Sequence, residues 1–492
     1  MIPATYPIMA GLDVHRASIS ATVLIARDPE EPIVHSKDFS ALQPGLLELR
    51  DWLLSLNCGT VAMESSCIYW KAPFKVLEDA GCTPFVLNPY DVKAKRGKKS
   101  DHSDAFRIAH LAMHGIVLPS FVPSPPIREL RLLTRGRTVL LNSLRKIKNQ
   151  ISLTLDEANF KFSVIATDLF GATGREIMNI IAADPNPNPR VLANQAKGVL
   201  RNKIDELVPA LSGQLTAVQR FLLKNRLKEL KQIEDHLQSI EIEIESFIAK
   251  NQLESFLAPL LSIPGIKRVA ATTILAEIGT SVIETFPSPQ QFASWAGLCP
   301  GMNESAGKRR KSSICKANRY LKSMLVQVAW CALRTKNSPF RPFFQSVKAR
   351  RGANRALIAV AHKMLRIIYA LYKYNTVFSP AALIKTETSA SPGDQQHTDL
   401  SPDFIKSLTQ NEQDLALQEV VALSTHDALT SYPLAPSVNM EVKKPKVVRT
   451  TSRKKTSELS SVPINSLQSD AAPVKKRGKP RKNPMNLIST DT

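Results

Sequence analysis

Apolar and polar residues alternate with different periods along this chain, and the period changes in blocks. Residues 9–120 read as α/β. Short β-prone runs fall at 8–14, 19–25, 33–39, 60–64 and 83–87. Apolar residues at helical spacing predict helices over 44–56, 69–80 and 100–114. Three strands before the first helix predict an antiparallel meander. The alternation of helix and strand that follows predicts parallel additions to the same sheet.

From Pro126 the pattern turns helical. Over 127–160, Leu130, Leu133, Val139, Leu140, Leu144, Ile147, Ile151 and Leu155 recur at threes and fours. The polar face of this helix carries Arg128, Arg131, Arg135, Arg137, Arg145, Lys146 and Lys148. It reads as a solvated face that also offers phosphate contacts to a nucleic acid. A second seam, from Leu223 through Leu230, Leu237 and Ile244 to Phe247, is heptad-like. It predicts either a coiled-coil hairpin with the earlier helix or a dimer stalk. Next, Ile263-Pro264-Gly265-Ile266 places a tight turn between two short helices, a helix-hairpin-helix pattern with Lys267 and Arg268 beside it. Further helices are predicted over 286–296, 317–334 and 353–372. Residues 376–492 are rich in Ser, Thr, Pro, Asn and Gln, which predicts a mostly disordered basic tail. A short amphipathic helix is predicted over 402–422, and 475–482 reads as a polybasic tail or an AT-hook core. The expected division is 1–120, 121–255, 256–375 and 376–492.

Composition narrows the class of partner. At 492 residues the chain has room for two or three domains. A net charge of +22 suits a polyanion, either nucleic acid or an anionic membrane face. No apolar run reaches membrane-spanning length, and residues 1–9 lack the charged start of a signal peptide. Six cysteines without C-x-x-C spacing read as reduced thiols of a cytoplasmic protein, not as a disulfide frame or zinc site.

Two groups of residues carry candidate chemistry. Asp13 and Glu64 each end a predicted strand, and Asp101 and Asp104 open a predicted helix one turn apart. Each alone reads equally well as a cap or surface residue. Brought together, four carboxylates repel one another unless a hard divalent cation such as Mg²⁺ or Mn²⁺ neutralises them. Just before the pair, Lys93, Lys95, Arg96, Lys98 and Lys99 form a basic loop suited to a phosphodiester backbone. The second group surrounds Ser305, with Lys308, Arg309, Arg310, Lys316 and Arg319 nearby and no adjacent His or Asp for a hydrolase triad. Cations of this density suit a phosphoryl group better than a carbonyl. Composition alone leaves Ser305 one loop serine among several, with Ser312 and Ser313 as competitors.

The ordered motifs resemble a known family. Gly11-Leu12-Asp13-Val14-His15, Ala62-Met63-Glu64-Ser65, the run from Lys99 to Ala105 and Phe121-Val122-Pro123 resemble the first domain of the IS one-ten insertion-sequence transposases. That domain is α/β and RNase H-like, of RuvC type, with a DEDD metal set. Ile263-Pro264-Gly265-Ile266, Gly297-Leu298-Cys299-Pro300 and the run from Asn303 to Arg310 resemble the family's mainly α-helical second domain. The resemblance covers residues 9–372. It implies a transposase that moves its own element by cutting and rejoining DNA, with Mg²⁺ (or Mn²⁺) on Asp13, Glu64, Asp101 and Asp104 and with Ser305 as nucleophile. It also implies homodimers or homotetramers, in which one subunit's serine completes another's metal site, and a structured guide RNA that pairs with donor and target DNA. Its setting would be the bacterial cytoplasm, near the nucleoid. Ser312 and Ala317 depart from the family's glycines, which is expected to stiffen the turn without removing a catalytic group. The competing expectations are a RuvC-like nuclease that uses metal and water alone, and a catalytically silent DNA- or RNA-binding protein.

Overall fold

The structure is a computed structural model that describes residues 4–27, 30–65, 68–92, 101–299 and 317–379, with the backbone of 304–305 and 308–309. The tail beyond 379, including the expected helix at 402–422 and the basic run at 475–482, lies outside the described residues. So do Lys98, Lys99, Arg310 and Lys316.

The first domain is a five-stranded mixed sheet in the order β3-β2-β1-β4-β5. Its strands are β1 (Ile8–Val14), β2 (Ser18–Ile25), β3 (Ile33–Ser40), β4 (Thr60–Glu64) and β5 (Thr83–Leu87). The first three pair antiparallel, and β4 and β5 add in parallel. This is the meander followed by parallel additions that the hydrophobic pattern predicts, and the layout is RNase H-like. Period-two alternation splits the side chains of β1 between two layers. Ala10 and Leu12 join Leu46, Leu49 and Leu53 of α1 (Gln43–Ser55) and Phe74 and Leu77 of α2 (Lys71–Asp79). Met9 faces the other way, with Ala62 of β4, and packs with Ile108, Ala109, Ala112 and Met113 of α4 (Asp101–Met113). A one-turn helix, α3 (Pro89–Val92), follows β5 and lays Val92 into this second layer.

Beyond the sheet the chain is helical. The 33-residue α5 (Pro125–Glu157) and the 34-residue α10 (Ala217–Lys250) pack side by side in opposite directions. Arg137 of α5 meets Glu241 of α10, while Arg226, near the start of α10, hydrogen-bonds the Gln150 carbonyl. The heptad-like seam is therefore spent on a hairpin within the chain. Four short helices, α6 (Phe162–Ile165), α7 (Ala172–Ala183), α8 (Pro189–Ala193) and α9 (Ile204–Ala210), fill the far end. They share a core there with Ile147, Ile151 and Leu155 of α5 and with Leu223 and Leu230 of α10. The start of α10 carries a capping box, with the Thr216 hydroxyl accepting from the Gln219 N–H.

The near ends of the same two helices belong to a different core. Ile127 and Leu130 of α5 and Ile244 and Ile248 of α10 pack with α11 (Glu254–Leu261), α12 (Arg268–Ile278), α13 (Val282–Thr285) and α14 (Pro289–Trp295). After the two-residue strands β6 (Glu304–Ser305) and β7 (Lys308–Arg309), α15 (Arg319–Arg334), α16 (Arg341–Arg351) and α17 (Ala353–Tyr374) complete that core. The helix expected at 286–296 starts only at Pro289, as α14, because Pro287 and Ser288 precede it, and the Ser288 hydroxyl accepts from the Gln291 N–H to cap it. At the α11–α12 hairpin, Gly265 has φ 90°, and a Cβ there would sit 2.5 Å from the Ala332 nitrogen of α15. Only glycine lets the turn press so closely on that helix. Among the described residues no helix is long and apolar enough to cross a membrane.

Candidate active site

The carboxylates converge because of a glycine. Alternation along β1 puts Met9, Gly11 and Asp13 on one face, and alternation along β4 puts Ala62 and Glu64 on the same face. Leu12 pairs with Met63 in the parallel register, so Asp13 and Glu64 are the next residues along, at the same end of adjacent strands. Helix α4 lies across that face. A Cβ on Gly11 would fall 2.2 Å from the Ala105 carbonyl oxygen and 2.4 Å from the Ala109 nitrogen. The missing side chain lets α4 rest directly on β1, and this contact carries the first turn of α4, with Asp101 and Asp104, toward Asp13.

The electrostatics report the same convergence. Burial pushes the Asp13 carboxyl above its ordinary value. His15 pulls it back, and the charges of Asp104, Asp101 and Glu64 push it up again. The other three predicted metal ligands thus all act on Asp13. The geometry adds a residue to which the sequence motif assigned no role. His15 Nε2 lies 3.4 Å from Asp13 Oδ2 and 3.8 Å from Asp101 Oδ1. Donor atoms of Asp13, His15 and Asp101 all lie within 4.8 Å of one another, a spacing that one cation can bridge. The signal in the sequence was the i, i+2 spacing of Asp13 and His15 at a strand end, but it acquires meaning only when α4 docks. Two carboxylates and a histidine nitrogen within bridging distance, with Glu64 and Asp104 acting on the same Asp13, fit a hard divalent cation.

Other polar groups frame this end of the sheet. Asp104 is largely buried and accepts a 2.7 Å bond from Arg107 Nη2, while Arg107 Nε donates to the Val92 carbonyl of α3. Across the strands Asp13 faces Ser20, and Ser20 faces Asp38. The Ser20 hydroxyl donates to Asp38 at 2.6 Å, and His102 of α4 closes the row at 3.2 Å from Asp38.

The predicted nucleic-acid contacts are placed unevenly. Lys267 is exposed at the start of α12. Arg268 is held in ion pairs with Glu245 of α10 and Glu254 of α11. Burial is the largest single influence and lowers the pKa of its guanidinium, but the hydrogen bonds and charges of those two carboxylates together hold it above the ordinary arginine range. Arg319 is exposed and leans on its neighbour Tyr320, 4.9 Å from the ring centroid. Ser305 pairs with Lys308 in the β6–β7 hairpin, and Glu304 with Arg309; the side chains there lie outside the described residues. On α5, Arg128 pairs with Glu78 of α2, Arg131 and Arg135 with Glu277, and Arg137 with Glu241. Much of the basic face expected to meet phosphate is instead engaged within the chain.

Comparison with known proteins matches both halves. A family profile described as a transposase of the DEDD type covers residues 10–160, which hold all four carboxylates. A second, described as the transposase IS116/IS110/IS902 family, covers residues 257–345, which hold Ser305. The chain belongs to the IS110 family of transposases. Similar proteins include a probable family 20 transposase of Pseudomonas aeruginosa, 26% identical over 341 residues, which are 68% of this chain and 89% of that one. The transposase for insertion sequence element IS1111A of Coxiella burnetii is 26% identical over 333 residues, 64% of this chain and 78% of that one. The solved structure of RuvC from Thermus thermophilus is 14% identical and covers 23% of this chain and 99% of its own, with a TM-score of 0.19. The RNase H-like assignment rests on the strand order and the carboxylate placement. As a member of this family, the chain is the transposase of an insertion sequence and acts on DNA.

Proposed function

We propose that this IS110-family transposase cuts and rejoins DNA through Ser305, assisted by a divalent cation, Mg²⁺ or Mn²⁺, held by Asp13, Glu64, Asp101 and Asp104 with His15 beside them. The observation that carries the reading is the docking of α4 on Gly11, which gathers the carboxylates at one end of the sheet. When bound, such a cation polarises a phosphoryl oxygen and favours the ionised serine hydroxyl. Ser305 Oγ attacks phosphorus and loses its proton; the bond from phosphorus to the deoxyribose oxygen breaks, and that oxygen leaves as a DNA hydroxyl. A hydroxyl of the other strand reverses the exchange, so each phosphodiester broken is replaced and no nucleotide triphosphate is consumed.

The division of labour follows the four segments proposed from the sequence: metal chemistry in 1–120, a helical arm in 121–255, the serine in 256–375 and a basic tail in 376–492. Lys98, Lys99, Lys267, Lys308, Arg309, Arg310, Lys316 and Arg319 are the proposed phosphate contacts, with Arg268 at the edge of that set. In this reading a guide RNA pairs with donor and target DNA. A homodimer or homotetramer brings one subunit's serine to another's carboxylates.

The test is strand cleavage on DNA carrying the element's joined ends, with RNA transcribed from its flank and Mg²⁺. Wild type and Ser305→Ala are compared on a denaturing gel with and without protease. The expected product is a protease-sensitive protein–DNA adduct that the variant does not form. Free nicks persisting in Ser305→Ala would replace the serine reading with a metal-and-water nuclease.

A further inference from the structure

Glu277 on α12 is a charged side chain with none of its surface exposed. A carboxylate so placed is tolerated only when its oxygens are bonded and its charge is met. Arg135 of α5 supplies a fork, with Nε and Nη2 each 2.8 Å from one carboxylate oxygen. Arg131, one turn earlier, lies 3.4 Å from Oε2 and donates to the backbone carbonyls of Ala276 and Glu277. The third partner is Asn318, whose Nδ2 donates to Glu277 Oε2 at 2.6 Å.

Asn318 works in two directions. Its Oδ1 accepts from the N–H groups of Tyr320 and Leu321 and so caps α15, the helix that follows the Ser305 hairpin. The Tyr320 ring lies 4.5 Å from the Arg135 guanidinium, which adds a second link between α5 and the start of α15. About two turns of α5 form one continuous tether, since residues 128, 131 and 135 share a face. Arg128 grips Glu78 in the carboxylate-bearing domain, and Arg131 and Arg135 grip Glu277. Ahead of the hairpin, His362 of α17 hydrogen-bonds the backbone of Leu298. Polar side chains from neighbouring helices therefore hold the chain both before and after the serine hairpin. Directional bonds that are all satisfied admit one arrangement, where apolar packing would allow sliding.

We propose that Glu277 is a positioning residue for strand exchange. Through Asn318 it fixes the start of α15, the helix that follows the Ser305 hairpin in the chain, relative to α5 and the carboxylate domain. This rests on the reading of Ser305 as nucleophile.

Asn318→Ser is the informative variant. Serine caps a helix as well as asparagine does, but it is too short to reach Glu277. The start of α15 stays capped while the link is cut. The full-length protein is assayed with end-bearing DNA, flank RNA and Mg²⁺. At saturating DNA the single-turnover rate of adduct formation is expected to fall roughly tenfold to a hundredfold, the scale set by a displacement of about 1 Å. Half-saturating DNA should stay close to wild type, and the melting temperature should fall only by the loss of one bond to Glu277, whose Oε2 Arg135 still meets. Glu277→Gln, which cannot satisfy the Arg135 fork, should slow the rate in the same direction; if it fails to fold, Asn318→Ser still decides. A wild-type rate in Asn318→Ser, with Ser305→Ala inactive, overturns the positioning role and leaves the nucleophile reading standing. If Ser305→Ala cuts like wild type, the nucleophile reading falls instead. Tryptic cutting at the Lys308–Lys311 run then decides the anchor: faster cutting in Asn318→Ser upholds it, and unchanged cutting overturns it.

Discussion

Replacing Gly11 with alanine tests how the site is assembled, without touching a carboxylate. The new Cβ would lie 2.2 Å from the Ala105 oxygen, 2.4 Å from the Ala109 nitrogen and 2.9 Å from the Ala109 Cβ. Two of these neighbours are backbone atoms of α4 and cannot rotate away. Ordinary contact begins near 3.4 Å, so α4 must retreat by roughly 1 Å. Overpacking of this kind costs about 1–3 kcal/mol, a loss the sheet with its two helical layers can survive. The retreat takes Asp101 and Asp104 with it. A catalytic group displaced by about 1 Å can cost on the order of 100-fold in rate. The assay pairs a thermal melt, with and without Mn²⁺, with DNA cleavage. Gly11→Ala should melt only modestly lower, lose most of the metal-induced stabilisation and cut roughly two orders of magnitude more slowly. Wild-type cleavage at a wild-type metal midpoint would refute the view that the Gly11–α4 contact sets the carboxylate geometry.

Three other outcomes are expected. Burial and the neighbouring carboxylates raise the Asp13 pKa, so its charge at neutral pH opposes folding of the metal-free protein. Asp13→Asn should therefore melt higher than wild type without metal and show no Mn²⁺ shift; a lower metal-free melting temperature would contradict this. The pKa of His362 is lowered from 6.5, chiefly by burial and secondarily by Arg366, with the Leu298 bond opposing. Because the unfolded chain takes up this proton more readily, stability is full above pH 6.5 and falls as pH drops through the folded value. Melts between pH 7.5 and roughly 5 should show this fall, and His362→Gln should flatten it. Finally, DNA affinity should respond differently at adjacent cations. Lys267→Gln, which removes an exposed charge, should reduce the salt slope by about one. Arg268→Gln, which breaks pairs with Glu245 and Glu254, should change the slope less and stability by about 1 kcal/mol at most, since the pairs are half-exposed. Equal slope changes would mean that Arg268 releases its partners on binding.

What the sequence made legible was local. Strand ends at Asp13 and Glu64 follow from runs of β-prone residues, and the observed β1, β4 and β5 have the expected bounds. The long helices follow from repeating leucines and isoleucines, with bounds that differ by a few residues because helix ends depend on caps and prolines such as Pro125. The contacts that join distant segments were not legible. Glu277 in Ala276-Glu277-Ile278 reads as one polar residue in an apolar helix; its partners Arg131 and Arg135 lie some 140 residues earlier. The basic face of α5 looked free because charge pattern does not reveal Glu78, Glu241 and Glu277 approaching it. His15 stood inside a quoted motif, yet its place beside Asp101 depends on a helix that begins far along the chain.

The long helix α5 serves two masters. Ile127 and Leu130 at its start are packed into one core, and Ile147, Ile151 and Leu155 near its end into another. An α-helix turns about 100° per residue, so the two clusters are locked in phase. One residue inserted between 135 and 147 would rotate the distal cluster about 100° away from its seat while the Glu277 grip stayed in place. Seven would return it to within about 20° and lengthen the arm by roughly 10 Å, provided that α10 grew by the same amount opposite. The arm should therefore tolerate only matched changes that complete nearly whole turns, such as seven or eleven residues, and homologous arms of different reach should differ by such lengths in both helices.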